Sequence, residues 1–188
     1  MKMNIAHIES ESYIYAPGKQ YVIWMQGCSI HCKGCWNSEM WSFNKVKLIE
    51  IDEIIENINK IPDLIGVTFL GGEPFDQPEV LLSLINEIKK NKFGITIYTG
   101  YQQDELKDKT QNEIFKKTDL LISGRFIEEM RNTNLQWIGS ENQKIIYLTE
   151  FYKDTKIDNA NYCEINISGN GQITLLGFPD ENLIKELN

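Results

Sequence analysis

The sequence lacks any apolar run that approaches the roughly 18 residues of a membrane span. Its N-terminal segment also lacks an apolar stretch followed by a cleavage site, so no signal peptide is predicted. Both absences lead us to expect a soluble, cytoplasmic protein that does not enter a membrane.

Positive charge is also scarce. The chain carries 19 lysine and arginine residues against 27 aspartate and glutamate residues, which gives a net charge of −8. Proteins that coat nucleic acids need clustered lysine and arginine to bind phosphates. The longest basic runs here are pairs such as Lys89-Lys90, typical of solvated helix ends, so no nucleic-acid partner is expected.

Cysteine is rare as well, with 4 in 188 residues, and disulfides are not expected in a reducing cytosol. Hydrophobic residues make up 41% and charged residues 24% of the chain, a balance typical of a globular protein. Length and composition predict a single domain spanning residues 1–188. Three of the cysteines nevertheless lie within one short segment, and this clustering is the most informative feature of the sequence.

Apolar, β-branched segments alternate with segments of helical periodicity along most of the chain. This alternation predicts right-handed βαβ units and a largely parallel sheet, and therefore an α/β fold. The tail, around Gly169-Asn-Gly171, predicts a C-terminal β-hairpin. Strands are predicted at 21–26, 67–70, 95–99, 119–123 and 144–148, helices at 48–60, 78–90 and 102–117, and the hairpin strands at 162–167 and 172–176.

The unusual residues follow directly after predicted strands. The cysteine segment follows the first, Gly71-Gly72-Glu73-Pro74 the second, Thr99-Gly100 the third and Ser123-Gly124 the fourth. Ligands in parallel α/β folds bind at the carboxyl ends of the strands. We therefore expect these segments to converge on one rim.

The cysteine segment reads Cys28-Ser-Ile-His-Cys32-Lys-Gly-Cys35, a C-x₃-C-x₂-C spacing on a loop. Thiolates are the ligands of iron–sulfur clusters, and short spacings allow one loop to surround one cluster. Three cysteines leave the fourth iron without a protein thiolate, and an open coordination position is typical of a reactive metal centre. Gly34 would relieve crowding where the chain passes the inorganic core.

Two other interpretations of the cysteines stay open. A structural zinc site would need His31 or Cys163 as a fourth ligand, although such sites usually use paired C-x₂-C arms. A four-thiolate electron-transfer cluster would need Cys163. That residue lies in an alternating strand pattern, in which a small buried hydrophobic side chain is the expected role.

Taken together, the motifs resemble those of the radical S-adenosylmethionine superfamily. The cysteine spacing is similar to the superfamily's first motif, and Gly71-Gly72-Glu73-Pro74 resembles its second. Within the superfamily the chain most resembles the activating enzymes of anaerobic (class III) ribonucleotide reductases. This likeness extends from about residue 10 to residue 150, and it rests on the cysteine loop from Trp24 to Trp41, Tyr98-Thr-Gly-Tyr101, Asp119-Leu-Leu-Ile-Ser-Gly-Arg-Phe126 and Asn134-Leu-Gln-Trp-Ile-Gly-Ser-Glu-Asn-Gln143.

The resemblance implies an incomplete TIM-type β/α barrel that binds a 4Fe–4S cluster and S-adenosylmethionine. It implies reductive cleavage of S-adenosylmethionine to a 5′-deoxyadenosyl radical, which abstracts a hydrogen from a glycine of the partner enzyme. The expected partners are a glycyl-radical enzyme, the large subunit of an anaerobic ribonucleotide reductase, and a flavodoxin- or ferredoxin-type electron donor.

The resemblance also implies roles for individual residues. Cys28, Cys32 and Cys35 would be the cluster ligands and catalytic residues. Gly71, Gly72 and Glu73 would bind the amino group of S-adenosylmethionine. Gly34, which precedes the third cysteine, is a further expected cofactor contact. Thr99 and Ser123 would donate their hydroxyls to the carboxylate or the ribose, and Asn142 would lie near the ribose.

The chain departs from the subfamily at two positions. Trp36 replaces the histidine that commonly follows the third cysteine, and Ser123 stands where an aspartate is typical. The alternatives are a radical enzyme that acts on a different glycyl-radical enzyme, a small molecule or a peptide. An alternative of another class is a non-catalytic iron–sulfur or zinc-binding protein.

Overall fold

A computed structural model describes residues 1–157, 160, 162–179 and 185 of the chain. Its main element is a seven-stranded mixed sheet with strand order β3-β1-β2-β4-β5-β6-β7, and a separate hairpin pairs β8 with β9. The predicted α/β class and the C-terminal hairpin are confirmed. The strands are Lys2–Ser12 (β1), Gln20–Met25 (β2), Lys47–Glu50 (β3), Gly66–Gly71 (β4), Gly94–Thr99 (β5), Leu120–Ser123 (β6), Lys144–Tyr147 (β7), Cys163–Ile167 (β8) and Ile173–Gly177 (β9).

The centre of the large sheet is parallel, as predicted. Strands β2, β4, β5 and β6 pair in parallel register, and helices connect β4 to β5 and β5 to β6. The outer strands differ, because β1 pairs antiparallel with both β2 and β3, and β7 pairs antiparallel with β6. The sheet is therefore open, with β3 and β7 as its edges among the described residues.

Three helices lie along the chain: Ile51–Asn59 (α1), Pro78–Lys90 (α2) and Lys109–Lys117 (α3). The prediction of α2 is confirmed at both ends. The predicted helix at 48–60 begins later, because residues 47–50 form β3. The segment 102–117 contains a 3₁₀ turn at Gln103–Glu105 before α3, which Asp108 caps by accepting the N–H groups of the first helical turn.

The main hydrophobic core lies between the helices and one face of the sheet. Ile54 and Ile58 of α1 and Leu84 and Ile88 of α2 are fully buried there. These positions recur at helical spacing, which explains why the helices pack on this face. No helix in the described part of the chain is long and apolar enough to cross a membrane.

The opposite face of the sheet is covered by loops and by the hairpin rather than by helices. Trp24 of β2 packs there against Tyr15, with ring centroids 5.2 Å apart. Leu176 of β9 joins the same cluster. The prediction that Cys163 is a buried hydrophobic residue is wrong, because its strand β8 turns that side chain to the exposed face of the hairpin.

Candidate functional site

A cavity of about 190 Å³ opens at the carboxyl ends of the parallel strands. Cys28, Cys32 and Cys35 line it together with Gly71–Glu73, at the end of β4, and Thr99, at the end of β5. The structure therefore brings the cysteine loop, the glycine motif and the end of β5 into one site, as expected from the positions of these segments after their strands.

Backbone hydrogen bonds hold the start of the cysteine loop. The N–H of Cys28 donates to the carbonyl of Trp41 at 3.1 Å, and the N–H of Glu73 donates to the carbonyl of Gly27 at 2.8 Å. The loop after β2 is thus closed on itself and attached to the glycine motif after β4. These bonds fix the peptide group that precedes Cys28 and so place this residue at the rim.

The thiols of Cys28 and Cys32 are half-buried. Burial raises the pKa of both thiols, and nearby backbone N–H groups, those of Ile30 and His31 at Cys28 and that of Phe126 at Cys32, act in the opposite direction. Donors directed at the sulfur are the groups that stabilise a thiolate and tune a cluster.

These residues fit a 4Fe–4S cluster. The site offers three thiol donors on one loop, and backbone N–H groups near Cys28 and Cys32 favour their thiolate forms. Within the described residues, no group of three or more histidine, cysteine, aspartate or glutamate side chains is arranged to hold one metal ion. In a cluster the thiolates bind different irons, so their sulfurs need not converge on one point. Cys163 is exposed on β8.

Glu73 is 2% exposed and carries the most perturbed carboxyl group of the site. Its Oε1 accepts the hydroxyl of Thr99 at 2.8 Å and the N–H of Phe75 at 3.0 Å, and its Oε2 accepts the N–H of Gly100 at 2.9 Å. Burial raises its pKa to about 7, although the three donors lower it. With these donors in place, Oε2 still has a lone pair with which it can accept a cationic ligand group.

Glycine is required at both positions before Glu73 because other chain segments approach too closely. A Cβ at Gly72 would lie 2.2 Å from the carbonyl oxygen of Gly27. Gly71 has φ of 97° and would place a Cβ 2.8 Å from the backbone of Trp24. Only glycine fits this close packing and this backbone conformation.

Thr99 and Ser123 use their hydroxyl hydrogens inside the protein. Thr99 donates to Glu73, and its oxygen accepts the N–H of Tyr101 at 3.0 Å. Ser123, at the end of β6, donates to the carbonyl of Tyr101 at 2.8 Å. Both side chains therefore fix the loop that follows β5 and support Glu73.

The structure places the other predicted cofactor contacts away from the lining of the cavity. Gly34 is exposed, with φ of 70°, and lies beside the side chain of Glu128. Asn142 donates to the carbonyl of Arg125 at 2.8 Å, and its buried Oδ1 has no hydrogen-bond partner among the described residues.

Several lining residues were not predicted as site residues. They come from the segment before β2, from β5 and from the loop after β6, and their only sequence signals are the family-like segments at 98–101, 119–126 and 134–143. They include Tyr15, Tyr98, Phe126, Arg131, Thr133, Gly139 and Gln143.

Comparisons with known proteins indicate the family that the chain resembles. Residues 14–146 match the family of 4Fe-4S single cluster domains, which covers most of the chain. The chain is 35% identical over 153 residues to the anaerobic ribonucleoside-triphosphate reductase-activating protein of Haemophilus influenzae, covering 76% of this chain and 97% of that one. It is 29% identical to the protein of the same name from Escherichia coli K12, covering 78% of this chain and 99% of the relative.

More distant similarity extends to a virus and to a solved structure. The anaerobic ribonucleoside-triphosphate reductase-activating protein of Enterobacteria phage T4 is 27% identical over 149 residues, covering 76% of this chain and 93% of its own. The crystal structure of QueE from Escherichia coli superposes with a TM-score of 0.42 and 21% identity, over 53% of this chain and 52% of QueE.

Proposed function

Because this chain belongs to the family of anaerobic ribonucleoside-triphosphate reductase-activating proteins, we propose that it installs a glycyl radical on an anaerobic ribonucleotide reductase. The observation that carries this proposal is the single cavity that three cysteines share with Gly71–Glu73. A thiol set and a buried carboxylate in one site combine a cluster with a place for its cationic co-substrate.

Cys28, Cys32 and Cys35 would hold the cluster, and Gly71–Glu73 would bind the methionine part of S-adenosylmethionine. When bound, these groups supply one-electron cleavage of a carbon–sulfur bond, which yields the 5′-deoxyadenosyl radical that abstracts hydrogen from glycine. The chain's own contribution is to bind, orient and exclude water.

Glu73 would orient the co-substrate through its ammonium group. Its carboxylate is fixed by Thr99, Gly100 and Phe75, so it cannot turn away when a ligand enters. A charge-assisted hydrogen bond from the ammonium group would lower the raised pKa of Glu73 and keep it ionised. Gly71 and Gly72 line the same cavity, where the ligand would contact their backbone.

We propose that the open sheet is an incomplete TIM-type barrel and that the partner's glycine loop reaches the cavity at the carboxyl ends of its strands. A flavodoxin- or ferredoxin-type protein would deliver the electron. The cytoplasm suits three free thiols, because reducing conditions keep them available for iron. The net charge of −8 argues against a nucleic-acid partner.

Anaerobic reconstitution with iron and sulfide tests this function. The reduced protein is incubated with S-adenosylmethionine, and 5′-deoxyadenosine is measured with and without the anaerobic reductase of the same organism. We expect 5′-deoxyadenosine together with the electron paramagnetic resonance doublet of a glycyl radical on the reductase. Binding of one zinc ion without 5′-deoxyadenosine would identify a structural site. 5′-Deoxyadenosine without a radical on the reductase would identify another substrate.

A further inference from the structure

Asp76 makes contacts with the cysteine loop that its position in the sequence does not reveal. It ends the 3₁₀ turn Pro74–Asp76, which directly follows Glu73. Its Oδ2 accepts the backbone N–H of Ser29 at 2.6 Å, and its Oδ1 lies 3.0 Å from the hydroxyl of Ser29 and 3.2 Å from that of Tyr101. One carboxylate therefore joins the loop after β2, the turn after β4 and the loop after β5.

These contacts bracket Cys28 on both sides. The residue before it, Gly27, accepts the N–H of Glu73, and the residue after it, Ser29, donates its N–H to Asp76. Both bonds lead to the same short segment after β4. Since the peptide groups on either side are fixed, Cys28 has a set position before any metal binds.

The bond to Asp76 is the stronger of the two by type. A backbone N–H that donates to a carboxylate forms a charge-assisted hydrogen bond, which is shorter and about twice as strong as a neutral one. Ser29 is exposed and the next residues of the loop are at most half-buried. Farther along, His31 stacks on Trp41 with ring centroids 4.8 Å apart, and Lys33 pairs with Glu128. The carboxylate is therefore the restraint on the peptide group that directly follows Cys28.

We propose that Asp76 is a positioning residue that presets Cys28 for the cluster by holding the backbone N–H of Ser29. This inference rests on the proposed cluster ligands, and it adds a residue outside the cysteine and glycine motifs. Fixing the loop in advance reduces the conformational entropy that cluster binding must otherwise overcome. Tyr101 assists, because its hydroxyl bonds to the same carboxylate.

The test compares Asp76→Ala with Asp76→Asn in anaerobically reconstituted protein. Cluster retention is measured as the concentration of a ferrous chelator that removes half of the cluster absorbance. We expect Asp76→Ala to need about tenfold less chelator than the wild type, because a hydrogen bond to a charged group is lost. Asp76→Asn keeps an oxygen that can accept the N–H of Ser29, so we expect it to lie within about threefold of the wild type.

A second readout separates loop placement from general stability. The electron paramagnetic resonance spectrum of the reduced cluster, with and without S-adenosylmethionine, should change in Asp76→Ala and return in Asp76→Asn. Thermal unfolding of the metal-free proteins should be nearly the same for all variants. Glu79→Ala is the matched control, because it removes a carboxylate three residues away that has no hydrogen bond or ion pair within the described residues.

Three results would overturn the inference. Asp76→Ala could keep the cluster and spectrum of the wild type. Asp76→Asn could be as impaired as Asp76→Ala, which would mean that charge rather than placement matters. Metal-free Asp76→Ala could unfold far below Glu79→Ala, which would indicate a general role in folding. Failure of the proposed function looks different, since the wild type would then hold a cluster that depends on Asp76 and yet leave no glycyl radical on the reductase.

Discussion

Glu73 is the residue whose ionisation links stability to function most directly. Its ordinary pKa near 4.5 is raised by burial to about 7 in the folded protein. Below pH 4.5 the group is protonated in both states and has no effect on unfolding. As the pH rises to 7, the unfolded chain releases the proton first, so stability is lost. Above pH 7 the full cost is present, about 3 kcal/mol for a shift of this size.

Because ionisation of Glu73 lowers the free energy of unfolding, a variant that cannot ionise, Glu73→Gln, should escape this loss. We expect the free energy of unfolding of the variant, relative to the wild type, to rise by about 3 kcal/mol between pH 4.5 and pH 8.5. Urea denaturation of the metal-free proteins at several pH values measures it. The comparison cancels any hydrogen bond that glutamine fails to make, because such a loss does not depend on pH. Parallel curves for the two proteins would contradict the raised pKa.

Cys32 is the middle one of the three proposed cluster ligands. Its thiol lies near the backbone N–H of Phe126, in the loop after β6, which lowers the pKa of the thiol. Cys32→Ala should abolish both the cluster and the formation of 5′-deoxyadenosine. Cys163→Ala, at an exposed position on β8, should keep both. Iron and sulfide analysis after reconstitution decides, and a full cluster in Cys32→Ala would refute the assigned ligand set.

Sequence patterns identified some site residues and not others, for a physical reason. The cysteines and Gly71–Glu73 follow strands and have fixed local spacing, so their convergence can be predicted from chain order. Asp76 and Tyr15 act through contacts between distant segments. A lone aspartate after a turn is ordinary turn chemistry, and only the packed structure shows that it meets Ser29.

The hairpin is the element whose attachment to the site can be tested separately. Tyr15 accepts the N–H of Gly177 at 2.9 Å, and both residues line the cavity. Tyr15→Phe keeps the ring but leaves that N–H without an acceptor, at a cost of about 1–2 kcal/mol. We expect amide hydrogen exchange in β8 and β9 to become about tenfold faster, while exchange in β4 and β5 stays unchanged.

Tyr13→Phe is the control for this change. It also removes a tyrosine hydroxyl, two residues earlier, but from a side chain that is 60% exposed. Exchange in the hairpin should not respond to it. If Tyr15→Phe accelerates exchange throughout the sheet, Tyr15 supports the whole core rather than the hairpin. If it has no effect, the contact between Glu164 and the N–H of Tyr13 is sufficient to hold the hairpin.

The elements themselves could be predicted where local pattern and packing agree. The parallel strands and α2 have continuous apolar runs or strict helical spacing, and each was predicted within two residues of its observed bounds. Strand β1 was missed, because irregularities between Ile5 and His7 and between Glu9 and Ser12 interrupt its alternation. The start of α1 was misplaced because Leu48 fits the helical spacing, although it lies in β3.

For the whole molecule, the family resemblance found in the motifs is confirmed by relatives that match over most of the chain. What the motifs could not provide is the mixed character of the sheet. The antiparallel strands β1, β3 and β7 depend on pairings between distant segments, which local periodicity does not encode.

Ligand binding should stabilise the molecule as a whole, because the cavity joins the cysteine loop, three strand ends and the hairpin. A ligand at 100 times its Kd adds about 2.7 kcal/mol to the free energy of unfolding. For a chain of this size that corresponds to a rise in Tm of roughly 5–10 °C. We therefore expect S-adenosylmethionine to raise the Tm of the anaerobic, cluster-loaded protein by this amount at pH 8.

The same shift should shrink at pH 6, because Glu73 is then largely protonated and cannot pair with the ammonium group of the ligand. Glu73→Gln should show no dependence of the shift on pH and little shift at all. S-Adenosylhomocysteine, which keeps the ammonium group but lacks the sulfonium charge, is a useful comparison, since it should show the same dependence on Glu73. A shift that is equal at both pH values in the wild type would mean that the ligand is held elsewhere in the cavity.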